Sequence, residues 1–150
     1  MYGWELMNIL RRDPAIGRYL IDIVAIDEHW TPPTRLPACY VVNTDQSDGD
    51  GQHWVAFFID TDRSADYWDS YGTPPLQCIY GWLRRQGCHP IRYNRKMIQG
   101  FTARTCGAYT AYFLHMRSMG IPLAMICDTF RGYQFDFNDS LVRSLLKKLK

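Results

Sequence analysis

Apolar side chains recur with helical spacing in several stretches of the chain. Leu76, Ile79, Tyr80 and Leu83 follow the i, i+3, i+4, i+7 pattern of one helix face. The same spacing indicates helices over residues 5–12, 76–86, 106–120 and 141–149, and a shorter helix is expected over residues 122–129. Asn138 or Asp139 is expected to cap the last of them.

A second pattern, without a helical period, predicts strands. Residues 53–59 (HWVAFFI) form an almost unbroken apolar run, which is typical of a strand buried on both faces. Shorter runs of β-forming residues predict strands over residues 39–43, 65–71 and 90–98. Residues 16–26 are apolar without a clear period, so a short helix and an extended segment both stay open.

Together these elements predict an α+β fold on a central, mostly antiparallel or mixed β-sheet. The 150 residues are enough for a real core, and neither a repeat nor a linker divides them. A single domain over residues 1–150 is therefore expected. No apolar run reaches the roughly 18 residues that a bilayer span needs, so no membrane contact is expected.

The net charge of +2 is too small to indicate nucleic-acid binding by itself. Basic residues do cluster locally, but most such clusters are solvated faces. The clusters are Arg84-Arg85, Arg92 with Arg95 and Lys96, and Lys147-Lys148 with Lys150.

The five cysteines, at positions 39, 78, 88, 106 and 127, do not follow the spacing of a disulfide framework. The first residues lack the basic and apolar regions of a secretory signal. We therefore expect an intracellular protein, not a secreted one, with reduced thiols. No metal site is expected, because Cys-x-x-Cys is absent and the adjacent Cys88-His89 pair is a poor start for a zinc site.

Cys106 lies where a loop gives way to a helix-period run. A helix that begins there directs its free N–H groups and the positive end of its dipole at the sulfur, which favours the nucleophilic thiolate. Gln99, seven residues upstream, offers an amide that could bind an oxyanion together with the Cys106 N–H.

The hairpin over residues 53–71 supplies a candidate base. A turn centred near residues 61–62 places His53 opposite Asp69, with Cβ atoms about 5 Å apart. His53 would take the thiol proton and pass it to the leaving amine, while Asp69 would orient the ring. Taken singly, residues of these types in these positions are more often structural, and the case for a Cys–His–Asp triad depends on their shared geometry.

These residues resemble the adenovirus protease (adenain) branch of cysteine proteases, whose clan includes the Ulp/SENP proteases of ubiquitin-like proteins. The resemblance is carried by His53-Trp54, Asp69, Gln99 and Cys106-Gly107 in this chain order, and by the segments 38–44 and 51–57. The spacing of seven from Gln to Cys favours the adenovirus branch, since the other branch usually has six. The match runs from about residue 5 to residue 120.

The resemblance implies a papain-like site on an adenain-type topology, in an endopeptidase that cleaves viral precursor proteins at Gly-containing sites during virion maturation. It further implies a location in the virion and the host cell nucleus, and activation by DNA and by a short viral peptide. That peptide would be disulfide-linked to Cys88, which is otherwise an ordinary, partly buried thiol.

The chain departs from the adenovirus enzyme in three ways. It is shorter, it has Asp69 in place of a Glu, and its loop carries Arg104, a cation near Cys106 whose role neither the chemistry nor the resemblance explains. The shorter length leaves dependence on DNA or peptide open.

The leading interpretation is a monomeric cysteine endopeptidase that acts on protein or peptide substrates. Three alternatives stay open: a deubiquitinase or ubiquitin-like-protein protease, an acyltransferase, and a non-catalytic DNA- or capsid-binding module. The last is disfavoured, because such a module has no need of all four candidate site residues.

Overall fold

The computed structural model describes residues 3–45, 53–100 and 105–149. This part of the chain contains five strands and six helices. In chain order they are α1 (Gly3–Arg12), α2 (Pro14–Gly17), β1 (Leu20–Ala25), β2 (Ala38–Asn43), β3 (Trp54–Ile59), β4 (Ala65–Trp68), α3 (Gln77–Arg85), β5 (Ile91–Tyr93), α4 (Cys106–Ser118), α5 (Leu123–Asp128) and α6 (Phe135–Leu149).

The five strands form one mixed sheet in the order β1-β2-β3-β4-β5. β2, β3 and β4 are antiparallel neighbours, whereas the outer strands β1 and β5 run parallel to β2 and β4. The α+β class and the mixed sheet predicted from the sequence are therefore confirmed.

The central strand β3 is buried on both faces, as its apolar run predicts. Ala56 and Phe58 face one core, which holds the buried side chains of α4. Val55, Phe57 and Ile59 face a second core, which α3 covers through Ile79 and Leu83. Helix α4 is buried along most of its length and packs on β3. Its Thr110 hydroxyl donates to the Trp54 carbonyl and Cys106 contacts the Trp54 backbone, so the start of α4 lies beside the start of β3.

Two predicted strands are shorter in the structure. Where each was expected to continue, backbone groups form hydrogen bonds with polar side chains instead of with a neighbouring strand. β4 ends at Trp68, since the Asp69 side chain accepts the N–H of Tyr71 at 2.9 Å and starts a turn. β5 ends at Tyr93, and the next side chain, Asn94, binds the Asp69 backbone. The undecided stretch 16–26 contains the end of α2 and all of β1.

The predicted cap of the last helix is wrong. α6 begins at Phe135, so Asn138 and Asp139 lie inside it. Asn138 is fully buried and binds groups outside its own helix, the carbonyl of Ile98 at 3.0 Å and the backbone of Arg131. Capping residues and residues that bind a neighbouring segment are of the same types, so the sequence could not separate the two roles.

None of the helices in the described ranges is long and apolar enough to span a membrane.

Candidate active site

Cys106 is the first residue of α4 and is partly exposed. Burial raises the pKa of its thiol, but a hydrogen bond and charge from His53 and backbone hydrogen bonds from Trp54 and Gly107 outweigh that effect. The pKa of Cys106 therefore lies below its ordinary value. The start of α4 contributes to this lowered pKa through Gly107, and the start of β3 contributes through Trp54.

His53 lies immediately before β3 and contacts the carboxylate of Asp69. Its Nε2 atom is 2.8 Å from Asp69 Oδ1, and its ring stacks on Tyr71 with the ring centres 4.6 Å apart. The other ring nitrogen, Nδ1, is buried and has no hydrogen bond of standard geometry with a described residue. One ring edge is thus fixed by the acid, while the Cys106 thiol interacts with the same ring.

The charge state of His53 is set by its two partners. Burial alone would lower the pKa of the imidazole. The hydrogen bonds and charges of Asp69 and Cys106 outweigh it and raise the pKa to about 9. The protonated ring is therefore the stable form at neutral pH.

Asp69 is held by three donors. Oδ1 accepts from His53 and from the Tyr71 N–H, and Oδ2 accepts from the Thr73 hydroxyl. Burial raises the pKa of Asp69, but these hydrogen bonds and the charge of His53 outweigh it and hold the pKa below its usual value. The carboxylate is thus ionised and fixed in one orientation.

The predicted register of the hairpin is off by two residues. Ala56 pairs with Trp68 and Phe57 with Tyr67, a register that when extended sets His53 opposite Tyr71 rather than Asp69. The cause is the turn at residues 60–64, where Arg63 adopts a positive φ of 66° and the strands resume with the pair Ile59 and Ala65. A shift of two keeps side chains on the same face, so the imidazole still reaches the carboxylate, on the diagonal.

Gln99 is fully buried and bound to the residue after Asp69. The Ser70 hydroxyl donates to its side-chain Oε1, and the Ser70 carbonyl accepts the N–H groups of Ile98 and Gln99 at 3.0 and 3.2 Å. The candidate acid and the candidate oxyanion residue are therefore attached to each other through adjacent residues of one turn.

Sequence reasoning missed the residues that support Asp69. Asn94 is buried. Its side-chain oxygen accepts the Asp69 N–H at 3.0 Å, and its side-chain NH₂ group donates to the Asp69 carbonyl at 2.6 Å. Thr73, Tyr71 and Ser70 make the contacts described above. The string Asp-Ser-Tyr-Gly-Thr carries a turn signal that could have suggested the local contacts, but no local pattern points to Asn94, 25 residues away.

Cys88 lies in the core at 1% exposure, and burial raises the pKa of its thiol. Disulfide exchange proceeds fastest from an accessible thiolate, so this position does not favour the predicted link to a peptide. That link stays a prediction. Arg104, the other unexplained residue of the candidate site, lies outside the described residues.

The basic residues around β5 line a cavity of about 920 Å³. Arg92 binds Asp66 at 2.9 Å, and Lys96 donates to the carbonyl of Phe130 at 2.5 Å. Arg95 stacks over Tyr93. Each of these three basic side chains therefore already has a partner within the protein. DNA binding stays a prediction.

No known family profile matches the chain. It is 32% identical over 88 residues to a protein of African swine fever virus that is named SUMO-1 cysteine protease in some isolates and cysteine protease in others. The match covers 51% of this chain and 32% of the relative. The chain thus spans about a third of the length of the curated relatives it matches.

Solved structures agree with the fold. A crystal structure of the African swine fever virus pS273R protease superposes with a TM-score of 0.65 at 18% identity, covering 92% of this chain and 65% of that one. The central domain of an uncharacterised Legionella pneumophila protein superposes with a TM-score of 0.56 at 16% identity, covering 99% and 97% of the two chains. The chain is thus similar to the cysteine protease of African swine fever virus, in sequence across 51% of its length and in fold across 92% of it.

Proposed function

We propose that the chain is a cysteine endopeptidase with Cys106 as nucleophile, His53 as general acid and base, and Asp69 as the residue that orients His53. The observation that carries this proposal is the coupled geometry of the three side chains. His53 binds Asp69 at 2.8 Å, and His53 and Cys106 shift each other's pKa toward the charged forms. Similarity to named cysteine proteases supports it.

The charges at the site suit acyl transfer to sulfur. Because the pKa of His53 is raised to about 9 and that of Cys106 is lowered, each group favours the charged form of the other, a thiolate beside an imidazolium. The thiolate attacks the scissile carbonyl, and the imidazolium donates its proton to the leaving amine. Neutral His53 then takes a proton from the water that hydrolyses the thioester, which regenerates Cys106.

The tetrahedral intermediates place a negative charge on the former carbonyl oxygen. In this proposal the Gln99 amide and the Cys106 N–H at the start of α4 donate hydrogen bonds to that oxygen. Burial of Gln99 supports the assignment, because a donor excluded from water stabilises charge more strongly.

The proposed substrates are viral precursor proteins cut at Gly-containing sites during virion maturation. Similarity to a viral protease and the Gln99-to-Cys106 spacing of seven support this branch of the proposal. Activation by DNA or by a peptide at Cys88, an intracellular location and a monomeric state belong to the same proposal.

A second candidate function is processing of ubiquitin-like proteins. It is favoured by one observation, the name SUMO-1 cysteine protease carried by curated relatives of this chain. Both candidates use the same catalytic groups and differ in the surface that docks the substrate.

Two kinds of substrate separate these candidates: a Gly-Gly-containing viral-type peptide, and fluorogenic C-terminal conjugates of ubiquitin and SUMO-1. Cleavage of the first supports the endopeptidase, and cleavage of a conjugate alone supports the second function. Cys106→Ala should abolish either activity, whereas Cys78→Ala, which removes an exposed thiol, should retain it. If wild type cleaves nothing, with and without DNA, the protease proposal fails.

Alkylation gives an independent test of the nucleophile. We expect iodoacetamide to modify Cys106 first at pH 7, because burial raises the pKa of Cys39 to about 12 and of Cys127 to about 11. The exposed Cys78 is an internal reference for a solvent-accessible thiol. Peptide mapping by mass spectrometry reads out the order, and faster labelling of Cys78 than of Cys106 would contradict the proposed thiolate.

A further inference from the structure

Ser70 lies between the two halves of the candidate site. It directly follows Asp69 and is 1% exposed. We refer to residues 69–73 as the acid turn and to residues 94–99 as the oxyanion segment. Ser70 belongs to the first and binds the last residue of the second.

The acid turn and the oxyanion segment are attached at two adjacent residues. At Asp69, the Asn94 side chain pairs with the backbone N–H and carbonyl. At Ser70, the carbonyl accepts two backbone N–H groups, and the hydroxyl donates to Gln99 Oε1. The backbone contacts alone position the Gln99 main chain, so the hydroxyl contact has a separate consequence.

That consequence concerns the direction of the Gln99 amide. A primary amide has an acceptor end and a donor end, and exchanging them requires only rotation about its last torsion. Since Ser70 binds the oxygen, the NH₂ group occupies the opposite end. Only that end can donate to an oxyanion, whereas the reversed amide would present an oxygen and repel it.

We propose that Ser70 is a positioning residue whose hydroxyl fixes Gln99 with its NH₂ group toward the developing oxyanion. The inference deepens the proposed function and depends on it. Two adjacent residues of the acid turn then have separate roles: Asp69 orients the imidazole, and Ser70 orients the oxyanion donor.

The test compares Ser70→Ala with Gln99→Ala and with the double variant. Loss of the donor in Gln99→Ala should lower kcat by about 10²–10³. Ser70→Ala should lower kcat by about 10-fold or more with KM little changed, because the donor is present but no longer fixed. In the Gln99→Ala background, Ser70→Ala should change kcat by less than about 2-fold, because the residue has nothing left to position.

Ser118→Ala is the matched control. Ser118 is also buried, and its hydroxyl has no hydrogen-bond partner among the described residues, so its removal should leave kcat unchanged. The alkaline limb of the pH profile should stay near pH 9 in Ser70→Ala, because Asp69 and His53 keep their contact. A merely structural role for Ser70 would disturb Asp69 as well and move this limb.

A spectroscopic measurement does not require turnover. The side-chain ¹⁵NH₂ signals of Gln99, identified by their loss in Gln99→Ala, should shift and exchange faster with water in Ser70→Ala. Ser70→Cys, similar in size with a weak S–H donor, serves if Ser70→Ala fails to fold. If wild type is inactive, the proposed function fails and the NMR signals still test the contact. If wild type is active, and kcat and the amide signals do not respond to loss of the hydroxyl, the Ser70 inference alone is overturned.

Discussion

At the scale of single residues, the pKa values of His53 and Cys106 depend on each other. Each stabilises the other's charged form, so in the proposed mechanism the ring holds the proton that leaves the thiol. Asp69 contributes to the same balance through its 2.8 Å contact. The pH dependence of turnover follows from these shifts.

We expect kcat/KM to rise with pH as the Cys106 thiol loses its proton, and to fall as the His53 imidazolium loses its own near pH 9. The acid limb lies below the ordinary thiol value because the pKa of Cys106 is lowered. Initial rates on the cleaved substrate between pH 5 and about 10.5 measure both limbs.

Asp69→Asn should move the alkaline limb to lower pH. The substitution removes the charge and weakens the hydrogen bond that raise the pKa of His53, while the burial that lowers it remains. Asp62→Asn, at an exposed turn far from the ring, should leave both limbs in place. An unchanged alkaline limb in Asp69→Asn would remove the carboxylate from the mechanism.

The site residues differ in how far the sequence could indicate them. His53, Asp69 and Cys106 lie at positions that local patterns mark, namely the start of an apolar strand, a turn and the start of a helix, although each such position taken singly is more often structural. Asn94 carries none and Ser70 carries only the turn signal of residues 69–73, because their roles depend on segments that meet only in the folded chain. Polar support from distant segments leaves no periodic pattern to detect.

At the scale of elements, α6 anchors the oxyanion segment to the core. Asn138 donates to the Ile98 carbonyl, and the neighbouring Asp139 accepts from Thr105 and Tyr109 at the beginning of α4. One turn of α6 therefore contacts both the segment that carries Gln99 and the helix that carries Cys106.

Asn138→Ala should lower the free energy of unfolding by on the order of 1–3 kcal/mol, because the buried Ile98 carbonyl loses one of its two donors and the Arg131 backbone loses both of its contacts with the Asn138 side chain. Asn8→Ala is the control, since Asn8 is exposed on α1, and it should stay within about 0.5 kcal/mol of wild type. Urea titration followed by tryptophan fluorescence measures both. Equal midpoints for the two variants would contradict the anchoring role.

Element types were predictable from periodicity, but several boundaries were not. The strand over residues 53–59 and the helix after residue 105 have strong apolar patterns and were predicted well. β4 and β5 end where the side chains of Asp69 and Asn94 bind nearby backbone, whereas Asn138, a residue of capping type, binds a neighbouring segment from inside α6. Local sequence preferences carry no information on contacts of this kind.

At the scale of the whole molecule, the acid turn packs directly on the oxyanion segment through Gly72. This glycine has a φ of 75°, and a Cβ atom built on it would lie 2.7 Å from the carbonyl carbon of Lys96. The contact is with backbone, so a side chain cannot be accommodated by a rotamer change. Close approach of the two segments thus requires glycine here.

Gly72→Ala should be clearly more destabilising than Gly120→Ala. Both positions have positive φ, which costs alanine about 1–2 kcal/mol, but a Cβ at Gly120 meets nothing within 4 Å. The clash at Gly72 should add on the order of 1–3 kcal/mol and slow alkylation of Cys106. Thermal unfolding and labelling rates measure the two effects, and equal losses of stability would refute the close contact.

The sheet order also has a consequence for how the chain acquires reactivity. Each strand pairs with its neighbour in sequence, so the sheet can form progressively during synthesis. The contacts of Asn138 and Asp139 close over the oxyanion segment only after α6 has left the ribosome. In the proposed protease, the Cys106 thiol is therefore expected to reach its full reactivity only after α6 has been synthesised and has packed on the oxyanion segment.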